Sequence, residues 1–154
     1  SIMIGGSEEA YERSIKILGL YGKKIKYMGP SGSGQLTKII NQICIAGLVQ
    51  GLSESIYFMK QTDLKPDDVL DVISSGAAQS WQMDNRFKSM VAGEFDFGFA
   101  VDLMRKDLSI AFAEADLHGI NLEVTKIVDK FYGDIQDLGG NKLDTSSLIK
   151  RLIN

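Results

Sequence analysis

Cysteine and histidine are almost absent: Cys44 and His118 stand alone among 154 residues. A single cysteine cannot close an internal disulfide, and it suits a reducing compartment. One histidine with one cysteine leaves none of the usual zinc sets, so no metal is expected. Basic residues are neither abundant nor clustered. Lysine and arginine number 17 against 20 aspartates and glutamates, a net charge of −3, which argues against a nucleic-acid partner. No unbroken apolar run reaches the ~20 residues that cross a bilayer, so no membrane is expected. The opening residues lack the basic region, long apolar stretch and cleavage pattern of a signal peptide. These absences point to a cytoplasmic domain. The chain also begins with Ser1 rather than methionine, and it is expected to start inside a longer protein. Its length suits one domain, or one domain plus a piece of another. Apolar residues make up 44% of it, enough for a core.

The first residues, "SIMIGG", read as a short buried strand ended by glycines. "SEEAYERSIKILG" follows as a helix, with Ser7 as N-cap, Glu8 and Glu9 at the positive helix end, and Gly19 or Gly22 as its stop. "KKIKYMG" reads as a second strand. Beyond Gly34 the pattern becomes helical. No proline interrupts Gln35 to Lys60, and this stretch predicts one helix of roughly 40 Å at ~1.5 Å per residue. Further helices are predicted from Pro66, from Trp81, from about Ala100 to His118, and through "LEVTKIVDKFYGDIQDL". The short C-terminal helix has Asp144 as its cap. No repeat or low-complexity stretch is visible.

The segment "GPSGSGQLTKIINQ", Gly29 to Gln42, carries the chemistry. It is not a phosphate loop of the Walker type, because Lys38 follows Gly34 by four residues instead of directly. Nor is it a dinucleotide fingerprint: Gly29, Gly32 and Gly34 reverse the required spacing, and a long helix follows. The glycines provide a flexible entry into a helix that bears Lys38, Asn41 and Gln42 on one face. An amine and two amides beside Ile39, Ile40 and Ile43 can form a partly buried polar site able to give or take a proton. The same spacing also describes the solvated first turn of an amphipathic helix.

On these residues the chain resembles the 3-hydroxyisobutyrate dehydrogenase family of β-hydroxyacid dehydrogenases. "GPSGSGQLTKIINQ" is similar to the start of the family's C-terminal domain. "EFDFGFAVDLMRKDLSIAFAEA" is similar to its loop and helix bearing a lysine–aspartate pair, and "LDTSSLIKRL" to its end. The Asn41–Gln42 order is closer to the tartronate-semialdehyde reductase branch. The resemblance implies a mainly α fold: the all-helical C-terminal domain of a 6-phosphogluconate-dehydrogenase-like enzyme, built on a long central helix. Residues 1–28 would be the last strand–helix–strand piece of a Rossmann nucleotide-binding domain, and residues 29–154 the helical catalytic and dimerisation domain.

The resemblance also implies roles. Lys38 would be catalytic. Asn41, Gln42, Gly32, Gly34 and Trp81 would bind substrate, and Lys106 and Asp107 would bind NAD or NADP. The substrate would be a small hydroxyacid or its semialdehyde, and the assembly a homodimer at least. The family's nucleotide fingerprint and serine–glycine–glycine motif have no counterpart in these residues. The cofactor would therefore be held mainly by an absent N-terminal domain, and the isolated chain is expected to be inactive. The alternative is a non-catalytic helical dimerisation module.

Without the resemblance other readings stand beside these. Lys106 and Asp107, with Arg105, suit a solvated helix face, and Trp81 suits a core or interface anchor. Gly47 and Gly51 form a G-x-x-x-G that predicts close packing against another helix. Cys44 reads as a small core residue, and His118 as a helix-end cap. Phe95, Phe97 and Phe99 alternate around Gly98 as core residues or loop anchors.

Overall fold

A computed structural model describes residues 1–153. Two compact units divide within one long helix, after Gln42. In the first unit, strand β1 (Ile2–Gly5) and strand β2 (Ile25–Gly29) pair in parallel, with Ile2 opposite Ile25 and Ile4 opposite Tyr27. Parallel neighbours need a crossover, and helix α1 (Glu8–Leu18) supplies it. Ser7 Oγ accepts from Ala10 N–H at 3.3 Å, and Glu8 and Glu9 occupy the first turn. Tyr27 Oη donates to the Gly6 carbonyl at 2.8 Å and stacks near Tyr11. The strands are half-buried rather than buried in this unit.

Helix α2 (Ser33–Lys60) begins in the first unit and continues into the second. Its 28 residues make it roughly 42 Å long. By length and composition alone α2 could cross a membrane, since its most apolar 18-residue window has a mean hydropathy of 1.2. A core helix meets the same criteria. Ala46, Val49, Leu52, Ile56 and Met59 are buried along its second part.

The second unit adds α3 (Pro66–Ile73), α4 (Trp81–Ala92), α5 (Val101–Leu117), α6 (Glu123–Asp137), a 3-10 turn (Thr145–Ile149) and α7 (Lys150–Ile153). Local signals set the ends. Pro66 stands at the start of α3, where its missing N–H costs nothing. Ser80 Oγ accepts from Met83 N–H and Gly93 closes α4 at φ +77°. His118 caps α5, with Nε2 3.1 Å from Glu114 Oε1. Asp144 caps the 3-10 turn as expected.

Two apolar clusters form the core of this unit. One joins Val49 of α2 to Met104 and Leu108 of α5 and to Val128, Tyr132 and Ile135 of α6. The other joins Leu52, Ile56 and Met59 to Met83, Phe87 and Met90 of α4 and to Phe95. Burial pushes the Tyr132 hydroxyl well above its ordinary pKa. A polar strap ties α5 to α6. Arg105 grips Asp129 through Nε and Nη2 and donates to Gln136, which in turn donates to Asp102 at 2.7 Å. That hydrogen bond, followed by one from Lys142, holds the Asp102 carboxyl below its usual pKa. The stabilisation from this carboxylate is therefore present above the unfolded-state pKa and is lost as pH falls through the lower folded value.

One expectation is corrected, and one finds no partner within the chain. Cys44 lies on the exposed side of α2, between the buried turns of Gln42 and Ala46. Gly47 and Gly51 meet no helix of their own chain, because a methyl group on either would touch nothing within 4 Å. They line an open apolar groove of about 400 Å³ with Leu48, Leu52, Ile73 and Met83.

The seat of α2 is made of backbone. A methyl group on Gly34 would lie 2.6 Å from the Met3 carbonyl oxygen and 2.9 Å from the Gly5 nitrogen. Gly34→Ala should therefore cost about 1–3 kcal/mol by overpacking. Gly133→Ala, mid-helix in α6 and 3.4 Å from the guanidinium of Arg105, an ordinary contact distance, should be neutral or stabilising by up to ~1 kcal/mol. Urea titration of both variants checks this. A Gly34→Ala variant within ~0.5 kcal/mol of the parent protein would contradict the packing described here.

Candidate functional site

In the first unit, β2 ends at Gly29 and the chain turns through Pro30 to Gly32 into α2. Gly29 and Gly32 adopt φ of +126° and +98°, which side chains other than hydrogen rarely tolerate. Ser33 N–H bonds the Pro30 carbonyl at 3.1 Å, and Leu36 N–H bonds that of Gly32 at 3.0 Å. The turn thus becomes the first coil of the helix. Space around Gly32 is open, so a ligand could approach its backbone closely. Gly34 differs: it is buried against β1.

One turn further on, Lys38 Nζ donates to Gln42 Oε1 at 2.8 Å, and Asn41 Nδ2 donates to the same oxygen at 3.0 Å. Gln42 is 1% exposed, whereas Lys38 and Asn41 are exposed. The structure therefore brings the three polar residues together, with the buried amide as the anchor. The i,i+4 spacing puts Lys38 and Gln42 on one helix face. The short bond holds the amine beside the helix instead of leaving it extended in water. A positioned amine next to a carboxamide can hold an oxygen of a small molecule and exchange a proton with it.

In the second unit, Lys106 and Asp107 lie on α5. Lys106 Nζ is 2.8 Å from Asp107 Oδ1, with the lysine side chain 61% exposed and the aspartate 15%. The lysine face is solvated while its aspartate is largely covered. Trp81 opens α4 and is 60% exposed. The Arg86 guanidinium stacks over its ring at 5.0 Å from the centroid.

Sequence reasoning missed the partner of that arginine. Asp144 was recognisable only as a helix cap. It accepts from Ser146 N–H at 3.1 Å as a cap should, but also from Arg86 Nε at 3.0 Å and from Phe99 N–H at 2.9 Å. Fifty-eight positions separate Arg86 from Asp144, and no local pattern links them. Among the described residues no group of His, Cys, Asp and Glu is placed to hold a metal ion.

A nicotinamide dinucleotide would need a cradle for its pyrophosphate and contacts near its ring. The amides at the start of α2 do not form such a cradle. A methyl group on Gly5 would lie 2.8 Å from Gly34 N and 3.0 Å from Ser33 N, so β1 packs closely on these nitrogens, and Ser33 N–H is already taken by the Pro30 carbonyl. The exposed amine of Lys106 does fit a contact to an anionic or amide group of a cofactor. The residues present thus suit one part of a dinucleotide.

Comparison with known proteins bears on this arrangement. Residues 32–152 match the family described as NAD-binding of NADP-dependent 3-hydroxyisobutyrate dehydrogenase. An uncharacterised oxidoreductase of Shewanella frigidimarina is 50% identical over 99% of this chain and 52% of its own length. The 2-hydroxy-3-oxopropionate reductase of Escherichia coli is 32% identical over 99% of this chain and 52% of its own. The crystal structure of a 3-hydroxyisobutyrate dehydrogenase from Salmonella typhimurium superposes with a TM-score of 0.85 at 26% identity, over 96% of this chain and 52% of that one. The chain spans about half the length of the curated relatives it matches.

Proposed function

The chain belongs to the NAD(P)-dependent 3-hydroxyisobutyrate dehydrogenase family, and from that membership we propose that it is the helical catalytic half of an enzyme acting on a small β-hydroxyacid or its semialdehyde. The observation that carries the reading is the constellation of Lys38, Asn41 and Gln42 on the first turns of α2.

A bound nicotinamide cofactor supplies the hydride acceptor for alcohol oxidation, or the donor for the reverse reaction. In oxidation the hydride leaves the carbon, and the hydroxyl proton must leave the oxygen as the carbonyl forms. Lys38 takes that proton on Nζ, or in reduction gives it to the forming alkoxide. Gln42 fixes the position of the amine through its buried oxygen. Asn41, on the exposed side, orients the substrate by hydrogen bonding. Gly32 lets the backbone approach the substrate. Lys106 contacts the cofactor, with Asp107 holding its side chain.

Replacing Lys38 by alanine in the complete enzyme should lower turnover at least ~100-fold, the usual loss for a positioned acid–base group, with cofactor binding little changed. Turnover within about threefold of the parent enzyme would overturn the assignment.

A dimerisation role is supported by the groove at Gly47 and Gly51, where Leu48 is 45% exposed and nearby Phe58 72%. We propose that a second copy of the chain covers it. Two measurements on the purified chain test both halves of the reading. Light scattering over a hundredfold concentration range should show a dimer. Calorimetry with NAD and NADP should show no submillimolar binding, since a lone exposed charge is worth under ~1 kcal/mol and millimolar affinity needs about 4 kcal/mol. A monomer throughout would defeat the first, and a micromolar dissociation constant the second.

A further inference from the structure

Trp81 stands at the first position of α4 and is 60% exposed. An aromatic so placed would ordinarily move between rotamers. Three separate segments of the second unit converge to restrict it. The Arg86 guanidinium lies over both the Trp81 ring and the Phe97 ring, 5.0 Å from each centroid. Arg86 Nε donates to Asp144 Oδ1 at 3.0 Å, and its Nη1 donates to the Asn85 carbonyl at 3.0 Å. Asp144 is only 1% exposed, and the Phe99 and Ser146 amides and the Ser146 hydroxyl, the last at 2.6 Å, hold it. Gly98, at φ +74°, lets the loop pass over this carboxylate, where a Cβ would collide with it.

We propose that Asp144 and Arg86 are positioning residues that lock the Trp81 indole into a fixed apolar wall for the carbon chain of the substrate. The inference rests on the reading of Trp81 as a substrate-facing residue. An ion pair needed only for stability would be complete with the carboxylate and the guanidinium. Here the guanidinium also lies over two partly exposed rings, and its hydrogen bonds fix the plane on which the indole rests. A wall held in place before binding spares the substrate the cost of ordering it. Arg86 thereby acts on specificity through Trp81 and does not itself touch the substrate.

Trp81 is the sole tryptophan of the chain, so its fluorescence reports this site alone. Time-resolved anisotropy of the 154-residue chain is the test. Arg86→Lys keeps a cation for Asp144 but removes the flat fork. It should leave the far-ultraviolet circular dichroism unchanged and raise the amplitude of subnanosecond indole motion at least about twofold. Phe97→Leu keeps the ion pair and removes the backing ring, and it should raise that amplitude by about half as much. Indole motion equal to the parent's in the folded variants overturns the clamp. If Arg86→Lys does not fold, Phe97→Leu alone decides.

A second arm tests the substrate link in the complete enzyme. Arg86→Lys should raise KM about three- to tenfold with kcat nearly unchanged, and Trp81→Leu should raise it more. A KM unmoved by Trp81→Leu, with a mobile indole in Arg86→Lys, would remove the substrate wall and the reading of Trp81 beneath it. The assignment of Lys38 would be untouched by that result.

Discussion

The contact on which the rest depends has no side chains in it. The first turn of α2 rests against β1 because neither Gly34 nor Gly5 has a Cβ, and the backbones approach to distances that any methyl group would block. Two consequences follow. β1 packs against the nitrogens of Ser33 and Gly34, and Ser33 N–H is taken by the Pro30 carbonyl, so no room is left for a phosphate at these two amides. Lys38, one turn along, is set by the register of a helix whose origin is pinned. A short bond to Gln42 then holds the side chain beside the helix.

Burial separates the charged groups into two kinds. Lys38 and Lys106 are exposed amines, each with a near neighbour on its own helix, Gln42 or Asp107. Such groups remain accessible to a ligand. Asp144 is the opposite, a carboxylate almost wholly removed from water and held by backbone amides, a hydroxyl and an arginine. A buried carboxylate without such partners would be strongly destabilising. Its desolvation is offset by those hydrogen bonds and the ion pair, which tie a loop, α4 and the C-terminal turn to one point.

Local signals were legible in the sequence. Ser7, Pro66 and Asp144 mark helix starts, and α2 shows itself by the lack of proline over its whole length. The grouping of Lys38 with Gln42 follows from helical spacing, and the structure places them in hydrogen-bond contact. Long-range features were not legible. The spacing of Gly47 and Gly51 resembles a packing motif, yet whether a second helix lies against it depends on neighbours that spacing cannot reveal. Cys44 is small and apolar enough for a core, but its angular position on α2 puts it outside. The link from Arg86 to Asp144 depends on how a loop closes, and closure leaves no local trace. The family resemblance, resting on the lysine motifs, reached the fold and the family where local physics alone stopped at a helical domain.

Chemical rescue tests the central claim, that the amine of Lys38 moves the proton, most directly. In the complete enzyme carrying Lys38→Ala, assayed in the direction of alcohol oxidation, added primary amines should restore turnover in proportion to the concentration of their free base, and more basic amines should restore more, as expected for a missing general base. The same amines should have no such effect on Lys106→Ala. Amines that leave Lys38→Ala silent while reviving Lys106→Ala would contradict the account and move the proton transfer to α5.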